Sequence, residues 1–351
     1  MIVKIKSLLV LVIMLLFVAC KKDNEVSKNN VDVYVVGQSL AANGTSVATY
    51  WRNGKAIKLT DSTYYSQASS IFIEGQDVYI AGYITNSNGY TIATYWKNGV
   101  MTKLTDGTSN AEAYSIKIQG NNLFVLGNTN IIYPPVYSNQ WILTTPTLWK
   151  NGITTTLPNS LKYLATSGTS MASNGNVLYI AGNYIASNNK GVIAYWENGT
   201  IKHLTDSTTS STAIAITANG KDIYVAGVNQ SYDKSGNPVF SGAAYWKNDV
   251  VIQIGTGLNS QANDITVSNG NVYVAGTESA NSNFVATYWK NGTAIQLGNA
   301  SINSYATAIV VNNGDVYVAG QSGECAIYWK NGVLMQIAAK GLALAIAVAQ
   351  H

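Results

Sequence analysis

Residues able to do acid–base, nucleophilic or metal chemistry are few in this sequence, and they do not cluster. The two histidines, His203 and His351, lie far apart, and neither has a second histidine at ligand spacing. A zinc site or a Ser-His-Asp relay therefore has no framework. Phosphate-loop, H-E-x-x-H and EF-hand patterns are missing as well, so neither a metal nor a cofactor is expected. Seven acids recur: Asp32, Asp77, Asp222 and Asp315 each precede a V-Y or I-Y pair, and Asp61, Asp106 and Asp206 sit in L-T-D. Acids repeated in this way serve turns and caps. Five others break the pattern: Glu112, Asp233, Asp264, Glu278 and Glu324.

Asp264 is the most informative of these. The matching places elsewhere hold Ser70, Ser115, Ser170, Ala213, Ala308 and Ala345, a set of small residues with one charge among them. Lys117 is a similar departure one step along, where Phe72, Ala172, Ala215 and Ala347 stand. A carboxylate in so crowded a place must find partners or shift its pKa. Two readings follow. In one, Asp264 and Lys117 are solvated lining residues held by backbone amides. In the other, acid and base drawn from Asp264, Glu112 and Asp233 act as a hydrolase or lyase, because two suitably spaced carboxyls can cleave a glycosidic bond without histidine.

The elements that must position these groups are set by an internal repeat. A V-Y-V-A-G motif begins at Val33, Val78, Leu123, Leu178, Ile223, Val272 and Val316. An A-T-Y-W-K-N-G motif alternates with it, anchored by Trp51, Trp96, Trp149, Trp196, Trp246, Trp289 and Trp329. Seven copies at a mean spacing of about 46 residues match four-stranded propeller blades. In the second unit the strands are expected at 69–73, 78–81, 93–96 and 100–104, with Asn98-Gly99 as a hairpin turn. The V-Y-V-A-G strand is apolar at nearly every position, so both of its faces must be covered, as they are when blades stack around an axis.

The first unit has no strand before Val33, while Ala343-Leu344-Ala345-Ile346-Ala347-Val348 follows the last unit and matches the inner strand elsewhere. The expected fold is therefore all-β, a seven-bladed β-propeller of four-stranded blades, closed by the C-terminal strand completing blade one. Two loops between second and third strands depart from the repeat. That of blade three carries Tyr133, Pro134, Pro135, Tyr137 and Trp141, and that of blade five carries Tyr232, Asp233, Lys234 and Phe240. Aromatic rings on a polar rim suit sugars or extended peptides, and equally a local packing cluster. The binding candidates are thus Tyr133, Tyr137, Trp141, Tyr232 and Asp233 on the loops, with Asp264, Lys117 and Glu112 nearer the axis.

The N-terminus reads as an address. Lys4 and Lys6 precede an apolar run at 8–19 that ends at Cys20, too short to span a bilayer and of signal-peptide length. Residues 20–30, rich in charge and asparagine, read as a flexible tether, and 31–351 as the propeller. Apolar residues make up 47% and charged residues 11%, which excludes disorder and coiled coil. From Asn29 onward 16 basic residues face 15 acidic ones, and Arg52 is the one arginine, so nucleic acid is not an expected partner. With Cys20 modified, Cys325 would have no disulfide partner and reads as a small buried hydrophobe.

Several segments resemble known families. Phe17-Val18-Ala19-Cys20 resembles a bacterial lipobox, with Phe17 in place of the usual leucine, and Lys21-Lys22-Asp23-Asn24-Glu25 resembles the tether of Bacteroidetes surface lipoproteins. Asp61-Ser62-Thr63 and Asp206-Ser207-Thr208 resemble an O-glycosylation motif of secreted proteins of that group. Gly270-Asn271-Val272-Tyr273-Val274-Ala275-Gly276 resembles the bacterial seven-bladed β-propeller repeat, and the W-K-N-G half is similar to extracellular HAF-type repeats. The resemblance implies a propeller in a secreted setting and carries no catalytic residues with it. It implies an outer-membrane lipoprotein at the cell surface, with Cys20 lipidated and the membrane met through that anchor. The expected role is a monomeric, non-catalytic binding module for a glycan or protein ligand. The alternatives are the hydrolase or lyase above and a structural scaffold of an envelope complex.

Overall fold

The computed structural model describes residues 31–132, 143–157, 164–232, 238–256, 259–280 and 282–350. Within them, 28 strands form seven antiparallel sheets of four, and there is no helix. The chain is a seven-bladed β-propeller. In six blades the strands follow one another in sequence, whereas blade one takes Gly341–Gln350 as its inner strand, next to Val31–Leu40, Ser46–Arg52 and Lys55–Lys58. The ring is closed as expected, with Val35 opposite Ile346 and Val33 opposite Val348.

Strands run longer than their apolar residues. In blade two they span Ser66–Glu74, Asp77–Thr85, Thr91–Lys97 and Val100–Lys103. Backbone pairing continues past the buried stretch, for instance Ser66 opposite Ile84. Each interface between blades holds its own apolar cluster, such as Tyr79, Ala81, Val125, Ile116 and Trp149 between blades two and three. The repeated tryptophans are buried, and the repeated second strand is covered on both faces.

Every inner strand carries a β-bulge facing the glycine of V-Y-V-A-G. In blade two the register shifts between Ala68 and Ser70, and a methyl group on Gly82 would overlap the Gln67 carbonyl. The same holds for Gly37 against Leu342, Gly127 against Glu112, Gly276 against Gln261 and Gly320 against Tyr305. This glycine is required by a close approach of backbone and not by a left-handed φ. The bulge also corrects the alignment of the inner ring. Asp264 pairs with Ala275, as Ser70 does with Ala81, and the matching residue of blade five is Ala215, opposite Ala226, rather than Ala213. The residue of blade five matching Lys117 is accordingly Thr217 rather than Ala215.

The second repeated motif builds the outer face. The asparagine of W-K-N-G adopts a left-handed φ, 51° at Asn53 and 52° at Asn98, as a tight hairpin turn demands. Its Oδ1 accepts the amide N–H that opens the preceding second strand in all seven blades, from Val33 to Asn53 at 2.9 Å through Val316 to Asn331 at 2.8 Å. In blades two, five and seven the aspartate before V-Y or I-Y accepts from that asparagine, and its other oxygen pairs with the lysine of W-K-N-G, as Asp77 does with Lys97 at 2.9 Å. The lysine in turn lies over the tyrosine ring, 5.0 Å from the Tyr79 centroid for Lys97. Arg52 and Asp32 do the same in blade one.

Candidate functional site

The inner strands of all seven blades enclose one axial cavity of about 1090 Å³. Its wall is built where the bulges fall, because a bulged residue leaves the alternation and turns toward the axis. Ser69, Tyr114, Thr169, Asn263 and Thr307 all line it. Asp264 and Lys117 line it too, from blades six and three, on opposing sides of the ring. Lys117 stands two residues further along its strand than the position matching Asp264, about 6–7 Å deeper.

Polar side chains at this ring position accept backbone N–H groups across blades. The Ser70 hydroxyl accepts the Ile116 N–H of the next blade at 3.3 Å, and the Ser115 hydroxyl accepts that of Met171 at 3.2 Å. Blade five offers Ala215 at this place, which has no acceptor for the Ile265 N–H. Asp264 serves both sides: Oδ1 accepts its neighbour Ile265 N–H at 2.8 Å, and Oδ2 accepts the Ile309 N–H of blade seven at 2.8 Å. The carboxylate therefore ties blade six to blade seven.

The surroundings shift both charged groups. Burial pushes the Asp264 carboxyl up to about 6, against the lowering effect of the two amides and of Lys117. Burial likewise pushes the Lys117 ammonium down, partly offset by Asp264. Both are ringed by protein and half-buried, with part of their surface open to the cavity. Lys117 has the Phe72 ring 5.4 Å from Nζ and no carboxylate within ion-pair distance among the described residues.

The cavity wall also presents tyrosines and amides that reasoning from the repeats passed over: Tyr114, Tyr305, Gln67 and Gln321. Tyr305 packs against Phe284 with centroids 5.6 Å apart, and Tyr83, hydrogen-bonded to Gln67, stacks on Tyr65 at 6.0 Å. Tyr114 is an aromatic side chain at a bulge position that Ser69, Thr169 and Thr307 fill in other blades, whereas Gln67 and Tyr305 share a position that other blades also fill with large residues, Glu112, Gln261 and Leu342. Asn128 and Asn183 line the same cavity but are spent on structure, each bonding both amide groups to backbone of the next blade's inner strand.

The remaining candidates fall elsewhere. Glu112 occupies the ring position held by Gln67 and Tyr305, but its carboxylate is buried and accepts from the Tyr114 hydroxyl at 2.7 Å, outside the cavity wall. Tyr232 lies on the rim, its hydroxyl on Gln230 at 2.6 Å and its ring covered by Lys190 at 4.5 Å. Tyr133, Tyr137, Trp141, Asp233 and Cys20 lie outside the described residues. Glu278 is buried, with Oε1 accepting the Thr256 N–H at 3.0 Å, and Glu324 pairs with Lys340 at 3.1 Å. His203 is exposed on the outer strand of blade four beside Tyr184, and Cys325 is half-buried against the cluster between blades six and seven. Asp61 and Asp206 cap their own turns through the N–H of Thr63 and Thr208. Among the described residues no group of three or more His, Cys, Asp or Glu could hold a metal.

Comparison with known proteins gives the same fold. The chain superposes on the β-propeller domain of the Trilobed protease from Pyrococcus furiosus with a TM-score of 0.52 and 12% identity, covering 90% of this chain and 96% of that one. That domain is described as having an open velcro topology, whereas here Gly341–Gln350 closes the ring. A puromycin-hydrolyzing peptidase of Mycobacterium tuberculosis gives a TM-score of 0.55 at 10% identity over 87% of this chain and 53% of its own. The acylaminoacyl peptidase of Pyrococcus horikoshii gives 0.50 at 14% over 89% and 51%. The chain thus spans about half the length of these two peptidases. No family model and no curated protein matches.

Proposed function

We propose that this propeller is a non-catalytic binding module, held at the cell surface of the outer membrane through lipid on Cys20, that takes a glycan or protein ligand at its axial cavity. The observation that carries this reading is the cavity of about 1090 Å³, the upper size of small-ligand sites, walled by hydroxyls, amides and tyrosine rings. Among the described lining residues Asp264 is the one carboxylate, and its oxygens are engaged by two backbone amides. A two-carboxyl hydrolase would need a second acid facing it across the cavity, and Glu112 does not face it.

A binding screen of the purified protein against arrayed glycans and peptides tests this. Ligands displaced by Tyr305→Ala or Lys117→Gln are expected, and a blank screen overturns the reading. Metabolic labelling with a palmitate analogue tests the anchor. Label and membrane association should both vanish in Cys20→Ala, and label that persists there contradicts it.

A further inference from the structure

Among the described residues Lys117 is the one lysine on the wall of the axial cavity, and it has no ion-pair partner. The lysines of the rim, Lys97, Lys247 and Lys330, each meet an aspartate. Lys117 has an aromatic face on one side and the open cavity on the other. An ammonium so placed has lost part of its hydration without gaining an acceptor, so an anionic group arriving there replaces water that is already poorly held. The nearest fixed negative charge is Asp264 on the opposing wall, beyond ion-pair contact and bound to backbone amides.

The rest of the wall says what carries the anion. Around Lys117 its ring-mates include Thr217 and Thr266 beside the apolar Phe72, Ala172 and Val310, and above it stand Thr212, Gln321 and the Tyr305 ring. Hydroxyls, an amide and flat aromatic faces suit a polyhydroxylated ring, which needs many short hydrogen bonds and a stacking surface. Ser70, Ser115, Ser170, Ala215, Ala308 and Ala345 keep the ring at Asp264 small, and Ile214, Leu342 and Leu344 add apolar surface on which the apolar face of a sugar ring can rest. The cavity is far larger than one small inorganic anion requires.

We propose that the axial cavity binds an acidic saccharide, with the Lys117 ammonium as counterion to a sugar carboxylate and Asp264 as the opposing charge that restrains its affinity. This rests on the binding reading above and names its ligand class. Asp264 acts here on selectivity: a ligand bearing only negative charge gains from Lys117 and loses to Asp264, whereas a cationic ligand would do the reverse.

The test is calorimetric titration of the full propeller with trigalacturonate, its fully methyl-esterified form, and triglutamate. Wild type is expected to bind trigalacturonate and to bind the neutral ester at least about tenfold more weakly. Lys117→Gln should lose about tenfold or more, Lys117→Arg should stay within about threefold, and Asp264→Asn should tighten binding by about threefold. Melting curves that are no lower for Lys117→Gln exclude misfolding as the cause. Indifference of trigalacturonate to Lys117→Gln, or weaker binding in Asp264→Asn, overturns the proposal. Equal binding of ester and acid overturns it too, while leaving the binding module intact. Preference for triglutamate replaces the saccharide by an acidic peptide. Absence of any binding sinks the proposal, and the wider array then decides the parent reading.

Discussion

The axis and the rim of this propeller hold their charges in opposite ways. At the rim, Asp77, Asp222 and Asp315 are exposed or half-exposed, and hydrogen bonds from Asn and Lys hold their carboxyls below the usual range. At the axis, burial drives the one acid up to about 6 and the one lysine down. The rim repeats its charges around the ring, and repetition there solves a folding problem: opening and pinning each second strand. The axis breaks the repeat, and its departures face a cavity instead of another blade. Repeated charge marks scaffold in this fold, and unrepeated charge on the inner ring marks the candidate site.

The largest effect should come from opening the axis itself. Removal of residues 341–351 strips blade one of its inner strand and exposes the clusters that hold Ala343 and Ile346. We expect the melting temperature to fall by about 10 °C or more, or cooperative unfolding to be lost. An unchanged melt would contradict closure. Gly276→Ala comes next: the added methyl meets the Gln261 carbonyl where neither strand can retreat, at a cost of about 2–3 kcal/mol in denaturant titration. At the rim, Asn98→Ala removes the acceptor for Val78 N–H and places a non-glycine residue without polar compensation at φ 52°, costing about 1–2 kcal/mol.

Asp264→Asn sharpens the contrast through pH. The folded carboxyl sits near 6 and the unfolded one near the ordinary 3.8, so between these values the native state holds a proton that the unfolded state has released. This group therefore favours the fold fully below about pH 4, and that contribution fades as pH rises through 6. Rim aspartates with lowered values act in the other direction, losing their contribution as pH falls below 4. The difference in unfolding free energy between wild type and Asp264→Asn should drift by about 1–2 kcal/mol from pH 4 to 7, less than full burial would give because cavity water screens the group. A flat difference would contradict the placement of Asp264. Lys97→Ala is the smallest case: this exposed pair should leave the melting temperature within error.

Much of this was legible in the sequence. Seven tryptophans and seven V-Y-V-A-G strands fix the number of blades, and the unpaired apolar strand at 343–348 fixes the closure. The register of the inner strand was not fully legible. In Ala213-Ile214-Ala215-Ile216 the apolar alternation fits two registers equally, and only the bulge opposite Gly227 selects Ala215. Bulges also hid the cavity wall, because Tyr114 is turned toward the axis by an irregularity that period-two reading cannot see. The repeated asparagine is legible as a turn former, but its bond to the amide that opens the preceding second strand is a tertiary contact across about 20 residues, beyond the reach of local turn chemistry. Asp264 was legible as an exception, while its bonds to the amides of Ile265 and Ile309 required knowing which residues adjoin across blades.

A crystal structure of the protein soaked with trigalacturonate tests most directly the claim that the axis, and not the rim, is the seat of binding. The account predicts density in the axial cavity with a sugar carboxylate at hydrogen-bonding distance from Lys117 Nζ and rings against Tyr305. Density on the tyrosine–lysine clamps of the rim, with the axial cavity holding solvent alone, would contradict it.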